Sequence, residues 1–300
     1  MTTPKEIDAL MNVDSFSGIP ERIVPGRTDR AETADHMARY GFAATRARGI
    51  TLDLGSGVGY GAAIIAAAQS VNFLIAFDVS SRALAFGKGS YGEKISFVTG
   101  DAGALPFSKD SLESVVCLEV IEHVPDAERV LREIARVLRP EGLLIVSTPN
   151  KWTTSPLYRR PINPYHALEW YPSSFKKLVS EYFEVEEVLG QSWHSVGMTW
   201  QALRSNAKTR LKGVLGRLRL LGVAQQLRKK GSYNSVAQED SEQVSKDIDA
   251  PTQEEMLAAR PRSWTKTRRQ GIPVTVILIA RLPRAHGHVI QRSSWDAHRQ

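Results

Sequence analysis

The stretch that decides the fold is Leu52-Asp53-Leu54-Gly55-Ser56-Gly57-Val58-Gly59, an apolar run closing on three alternating glycines. Ile50 to Leu54 reads as a buried strand, and Tyr60 to Gln69, rich in alanine and isoleucine, as a helix. Glycines between the two let the backbone turn sharply and approach a ligand, while the helix start offers free N–H groups. A dinucleotide turn needs G-x-G-x-x-G, but the place of its third glycine holds Tyr60. Asp53 adds a carboxylate to the turn, which suits an ammonium group and repels a pyrophosphate. A nicotinamide-dependent oxidoreductase is therefore disfavoured.

Outward from this turn, apolar runs alternate with helical patterns. Strands are expected at Phe73 to Phe77, Ile95 to Val98, Leu112 to Leu118, Leu143 to Ser147, Phe183 to Leu189 and Pro273 to Leu282. Helices are expected at Ser81 to Gly87, at Ser173 to Tyr182, and from Asp126 to Leu138, the last stopped by Arg139-Pro140. The alternation implies an α/β fold with a doubly wound, mostly parallel seven-stranded sheet. Right-handed crossovers then put every strand's C-terminal end on one edge, where ligands bind. Asp78, at one such end, is placed to accept from ribose hydroxyls, and Asp101, at the next, from an exocyclic adenine amine.

Residues 1–45 are expected to form a lid segment, 46–192 the core, 193–271 a basic helical insertion with a mobile loop, 272–283 the last strand, and 284–300 a tail. The net charge of +7 is uneven: residues 193–300 hold 19 Lys/Arg against 8 Asp/Glu, whereas residues 1–192 hold 20 against 24. A basic C-terminal third on a mildly acidic body points to an anionic partner. One cysteine, Cys117, allows no intrachain disulfide. No apolar run approaches the ~20 residues of a membrane span, and the N-terminus lacks a signal-peptide pattern. A cytoplasmic protein is expected.

Leu52 to Gly59 resembles the first motif of the class I S-adenosylmethionine-dependent methyltransferases. Leu131 to Asn150 (LREIARVLRPEGLLIVSTPN) is similar to that family's fourth-helix and fifth-strand segment. Pro20 to Ala43 (PERIVPGR…HMARYGFA) resembles bacterial members linked to glycan or natural-product pathways. The resemblance implies S-adenosyl-L-methionine as cofactor, with Asp53, Gly55, Gly57, Gly59, Asp78, Asp101, Ala102 and Glu119 around it.

Glu119, Glu122 and His123 lie within five residues, and spacings of three and four share a face of a helical turn. With the later His166-x-x-Glu169-Trp170, the pattern resembles two metal-dependent branches of the family, one acting on small-RNA ends and one on a catechol. That resemblance implies Glu119, Glu122, His123 and His166 as ligands of Mg²⁺ or a similar ion, gripping two vicinal oxygens of the acceptor. Two other readings stay open: His123 or His166 as a general base, or both as hydrogen-bonded structural residues.

Leu203 to Lys230 carries nine Lys/Arg, no acid, and leucines at helical spacing. It reads as a solvated amphipathic helix, a lid over an anionic substrate, or a helix resting peripherally on anionic membrane. It lacks the interleaved aromatics that single-stranded nucleic acid would want. Trp193, Trp200 and Trp264 are expected to line a pocket or core. The expected activity is O-methylation of a hydroxyl on a sugar, glycan or related small molecule. The alternatives are 2′-O-methylation of an RNA 3′ end and a non-catalytic cofactor-binding protein.

Overall fold

The computed structural model describes residues 23–25, 28, 30–92, 94–192, 261–263 and 273–284. In chain order the elements are α1 (Arg30–Ala44), β1 (Gly49–Leu54), α2 (Tyr60–Ala66), β2 (Val71–Asp78), α3 (Ser81–Tyr91), β3 (Ile95–Thr99) and β4 (Leu112–Leu118). A 3₁₀ turn (Ile121–His123) follows, then α4 (Ala127–Val137), β5 (Leu138–Pro149), α5 (Lys151–Thr154), α6 (Pro172–Ser180), β6 (Glu184–Gln191), β7 (Arg262–Ser263) and β8 (Thr275–Arg281). They form one sheet in the order β3-β2-β1-β4-β5-β8-β6-β7.

The sheet is buried on both faces, which is why its strands read as near-continuous apolar runs. Successive residues point to opposite faces. Val115 and Cys117 join one cluster with Leu131 and Ile134 of α4 and Phe175 of α6. Val116 and Leu118 join the other with Tyr40 and Ala43 of α1, Ile65 of α2 and Leu84 of α3. The amphipathic α4 starts on Asp126, whose side chain accepts from the Arg129 amide.

Three expectations are corrected. The sheet has eight strands, because Arg262 and Ser263 pair with Gly190 and Leu189 at its edge. Two polar residues carry no alternation that a sequence reading could register. The strands do not all end on one edge, because β8 runs antiparallel to β5 and β6. It therefore presents its N-terminal residues where the parallel strands present their C-terminal ones. Finally, α4 stops at Val137 and β5 begins at Leu138; Pro140 lies inside β5, where pairing with β4 is interrupted between Leu112 and Ser114. Proline is tolerated in a strand at such a break.

The order of the sheet reverses between β1 and β4, the crevice in which open α/β sheets bind ligands. The 203–230 segment, the expected loop, Trp193, Trp200, Trp264, most of the lid segment and most of the tail lie outside the described residues. No helix among the described residues is long and apolar enough to cross a membrane.

Candidate active site

At the turn after β1, Gly55, Gly57 and Gly59 have φ of +78°, +56° and +84°. That region costs an L side chain strain, so the alternation of glycines follows from the path of the chain. A Cβ on Gly55 would also collide with Cγ2 of Val120. The turn is tied to the end of β2: Gly55 N–H and Ser56 N–H donate to the Phe77 carbonyl (2.7 and 3.0 Å). Asp78 Oδ2 accepts from Gly57 N–H and its Oδ1 from Ser80 N–H, both at 2.8 Å.

A cavity of about 550 Å³ opens here. Gly55, Gly57, Asp78, Asp101, Ala102, Glu119, Glu122, His123 and His166 all line it, so one space joins the expected cofactor and acceptor residues. Asp101 lies two residues beyond β3 and is fixed by accepting from Gly103 N–H at 2.8 Å. Gly59 is not part of the wall; it caps α2. Asp53 also lies behind the wall, fully buried. Its Oδ1 accepts from the Tyr40 hydroxyl at 3.2 Å, and its Oδ2 has no partner. Burial, offset in part by the Tyr40 hydrogen bond and reinforced by Asp78, pushes this carboxyl up to about 8.

The sequence reading expects a lid over residues 1–45 but names none of the side chains that α1 supplies to the wall. His36 and Arg39 line the cavity, and Tyr40 reaches Asp53 behind it. Their spacing of three and four residues on a helix was the available signal. Arg39 is 7% exposed. Its Nη1 donates to Gln191 Oε1 at 2.5 Å and to Thr275 Oγ1 at 3.5 Å, while its Nε has no partner. His36 shares a hydrogen bond of 2.5 Å with the Tyr60 hydroxyl, and burial, then the Arg39 charge, hold it well below the usual histidine range. Val274 and Thr275 join the wall because β8 enters from the opposite direction.

The four expected metal ligands separate into three and one. Ligand atoms of Glu122, His123 and His166 lie within 4.8 Å of one another. Glu119 borders the same cavity, but its Oε1 accepts from Ser147 Oγ at 2.6 Å, and that Oγ accepts in turn from Glu119 N–H at 3.2 Å. The two bonds hold Glu119 at φ +54°, a strained conformation of the kind that clusters at functional sites. Glu122 is 1% exposed and its Oε2 has no partner. Burial and then Glu119 raise its pKa well above the usual carboxylate range.

The hydrogen bonds of the two histidines define their tautomers. His123 Nδ1 faces the Tyr165 carbonyl at 3.1 Å; a carbonyl only accepts, so Nδ1 carries the proton. His166 Nδ1 donates to Glu169 Oε1 at 2.8 Å. Asn163 accepts from Tyr165 N–H through Oδ1, which turns its Nδ2 to donate to His166 Nε2 at 3.0 Å. Both imidazoles are thereby set with a lone pair on Nε2, and their rings meet edge-on, centroids 5.1 Å apart. Burial pushes Glu169 up, but hydrogen bonds from His166, Ser155 and Thr154 outweigh it and hold the carboxylate below its usual range.

Comparison with known proteins agrees with this fold. Residues 52–146 match the family described as "Methyltransferase domain". The chain is 34% identical over 181 residues to a Mycolicibacterium smegmatis protein named a probable S-adenosylmethionine-dependent methyltransferase, covering 59% of this chain and 69% of that one. A Mycobacterium tuberculosis protein of the same description is 42% identical over 118 residues, 39% of this chain and 42% of that one. Among solved structures, a chain of the complex between the Haloferax volcanii Trm112 methyltransferase activator and its methyltransferase partner superposes with a TM-score of 0.51 at 17% identity, covering 86% and 95%. The [4+2]-cyclase SpnF superposes at 0.50, also at 17% identity, covering 87% and 86%. At that identity both speak for the fold alone, and the cyclase shows that one fold serves more than one chemistry.

Proposed function

This chain belongs to the S-adenosylmethionine-dependent methyltransferases, and from that premise we propose that it is an O-methyltransferase acting on a hydroxyl of a sugar, glycan or related small polyol. The carrying observation is the convergence of Glu122, His123 and His166 in the same cavity as the glycine turn. The chain's residues fit the cofactor. The glycine turn leaves no room for a side chain at Gly55, and Asp78 and Asp101, both on the cavity wall, are acceptors that suit ribose hydroxyls and an adenine amine. Arg39 lines the cavity with a buried, unpartnered Nε, which suits the carboxylate of an amino-acid end. When bound, S-adenosylmethionine supplies an electrophilic methyl on a sulfonium. The cavity walls then orient the acceptor hydroxyl for in-line displacement, a reaction whose rate depends largely on alignment.

Glu122, His123 and His166 also fit a divalent cation, which when bound would lower the pKa of a hydroxyl that it grips, a vicinal diol offering two such oxygens. With Glu119 held by Ser147, the donors are two imidazole nitrogens and one carboxylate oxygen. That set suits Mn²⁺ or Zn²⁺ as well as the Mg²⁺ that two carboxylates would favour. A second reading is supported by the Glu169–His166 pair. Glu169 orients the imidazole and offsets the charge of its protonated form, so that Nε2 can take the hydroxyl proton once the acceptor displaces the Asn163 amide from it.

The test is methyl transfer from labelled cofactor to a panel of sugars, polyols and RNA 3′ ends, before and after exhaustive chelation. Loss on chelation with recovery on adding Mn²⁺, Zn²⁺ or Mg²⁺ supports the cation. Full activity after chelation leaves His166 as base. Label on nitrogen or carbon, and never on oxygen, would overturn the O-methyl reading.

A further inference from the structure

One segment beside the cavity carries apolar side chains that neither the core nor the site uses. Among the described residues, six large hydrophobic side chains are conspicuously exposed, and four of them fall between Trp152 and Tyr165. They are Trp152 (51%), Leu157 (74%), Ile162 (43%) and Tyr165 (40%). Scattered exposed apolar residues are ordinary, but a contiguous group rimmed by polar ones marks an interaction surface.

The local hydrogen bonds gather these residues into one patch. The Ser155 hydroxyl accepts from Ile162 N–H at 2.8 Å, and the Ser155 carbonyl from Tyr158 N–H at 3.2 Å, so both arms of the segment fold around one buried serine. Trp152 packs on Tyr171, ring centroids 4.6 Å apart, and the Tyr171 hydroxyl donates to the carbonyl of Pro156, next to Leu157. The patch lies at the mouth of the cavity, because Thr154, Asn163 and His166 of the same stretch line it.

Charge decides the partner. Lys151, Arg159 and Arg160 lie in this stretch, Arg159 and Arg160 exposed, and no acidic residue occurs from Lys151 to His166. A protruding leucine and isoleucine, flanked by tryptophan, tyrosine and arginine, is the composition that sits at the boundary of headgroups and acyl chains. A soluble glycan would use Trp152 and Tyr165 but has no use for Leu157 and Ile162.

We propose that Trp152, Leu157, Ile162 and Tyr165, with Arg159 and Arg160, dock the protein on an anionic lipid surface and hold the cavity mouth towards acceptors carried there. The docking stands on this surface alone; that it delivers an acceptor rests on the O-methyl reading above.

Cosedimentation of the full chain with phosphatidylglycerol/phosphatidylcholine vesicles, and with phosphatidylcholine alone, tests it. The wild type binds the anionic vesicles more tightly. The variant Leu157→Ser/Ile162→Ser weakens that binding by about tenfold or more, the effect of withdrawing two aliphatic side chains from the interface. Arg159→Glu/Arg160→Glu weakens it at low salt, and its deficit vanishes when the Debye length is cut to about 3 Å. S-adenosylhomocysteine affinity, measured on each variant, stays at the wild-type value and reports an intact core. Two results would overturn the proposal: no binding of the wild type to anionic vesicles, or equal binding by the wild type and the Leu157/Ile162 variant. If docking holds but methyl transfer to every hydroxyl acceptor fails, the O-methyl reading falls and the surface stands.

Discussion

His166 Nδ1 and Glu169 Oε1 are 2.8 Å apart, with side-chain exposures of only 7% and 0%. The imidazole is thus fixed in tautomer and orientation by a carboxylate that solvent does not screen. Glu169→Gln keeps the volume and removes the charge. Its expected effect is a fall in kcat of about 10- to 100-fold, the range for groups that orient a reacting imidazole. Affinity for S-adenosylhomocysteine, read by calorimetry, should not change; an equal loss in both would place Glu169 in cofactor binding instead.

Glu122→Gln separates holding a cation from holding the fold. Glu122 is buried with an unpartnered oxygen beside Glu119, so an uncharged amide relieves the ligand-free protein. The variant should melt at the same or a higher temperature, yet lose Mn²⁺ and Zn²⁺ binding by calorimetry. A variant that unfolds while the wild type binds no metal would assign Glu122 a purely structural part.

Asp53 makes stability depend on pH. Its carboxyl is raised from 3.8 to about 8 in the fold, so between these values the native state holds a proton that the unfolded chain has released. The unfolded state binds fewer protons, and stability therefore falls as pH rises, by up to about 1.4 kcal/mol per unit, levelling off above the folded value. Asp53→Asn can still accept from Tyr40 and abolishes this slope. Thermal melts of ligand-free wild type and variant from pH 5 to about pH 9 should diverge steadily, the variant being the more stable at the alkaline end. Parallel curves would refute it.

Gly55→Ala should be disproportionately damaging. The new Cβ meets Val120 at φ +78°, a conformation costing about 1–3 kcal/mol before any clash is counted. Cofactor affinity should fall with stability, because the turn must open to accommodate the methyl. Gly41→Ala serves as the control: its Cβ would meet nothing within 4 Å in the last turn of α1, and alanine there should stabilise the helix by up to about 1 kcal/mol.

The core of the fold was legible because buried parallel strands must be written in apolar residues and their turns in glycine and aspartate. Leu52 to Gly59, Asp78 and Asp101 each announce themselves this way. What sequence could not convey was direction and company. β8 reads as a strand in either orientation, since hydropathy carries no sign along the chain, and β7 is too short to show a period. Glu119 and Glu122 share a spacing that predicts convergence, but Ser147, twenty-eight residues on, draws Glu119 aside. Arg39 was overlooked for the opposite reason: an arginine on a helix ordinarily faces water, and its spacing from His36 does not by itself show that this one is sealed beneath Gln191 and Thr275.

The position of β8 has a consequence for how the chain is made. This strand is almost wholly buried between β5 and β6, yet it leaves a ribosome over eighty positions after β6. Until it arrives, two neighbouring strands have open, apolar edges, which invite pairing with other chains. The nascent protein must therefore wait, largely formed but unsealed, for this strand. Truncation just before Thr275 should yield an aggregating product, and the cavity, which needs Val274 and Thr275 for its wall, cannot be complete before β8 is made.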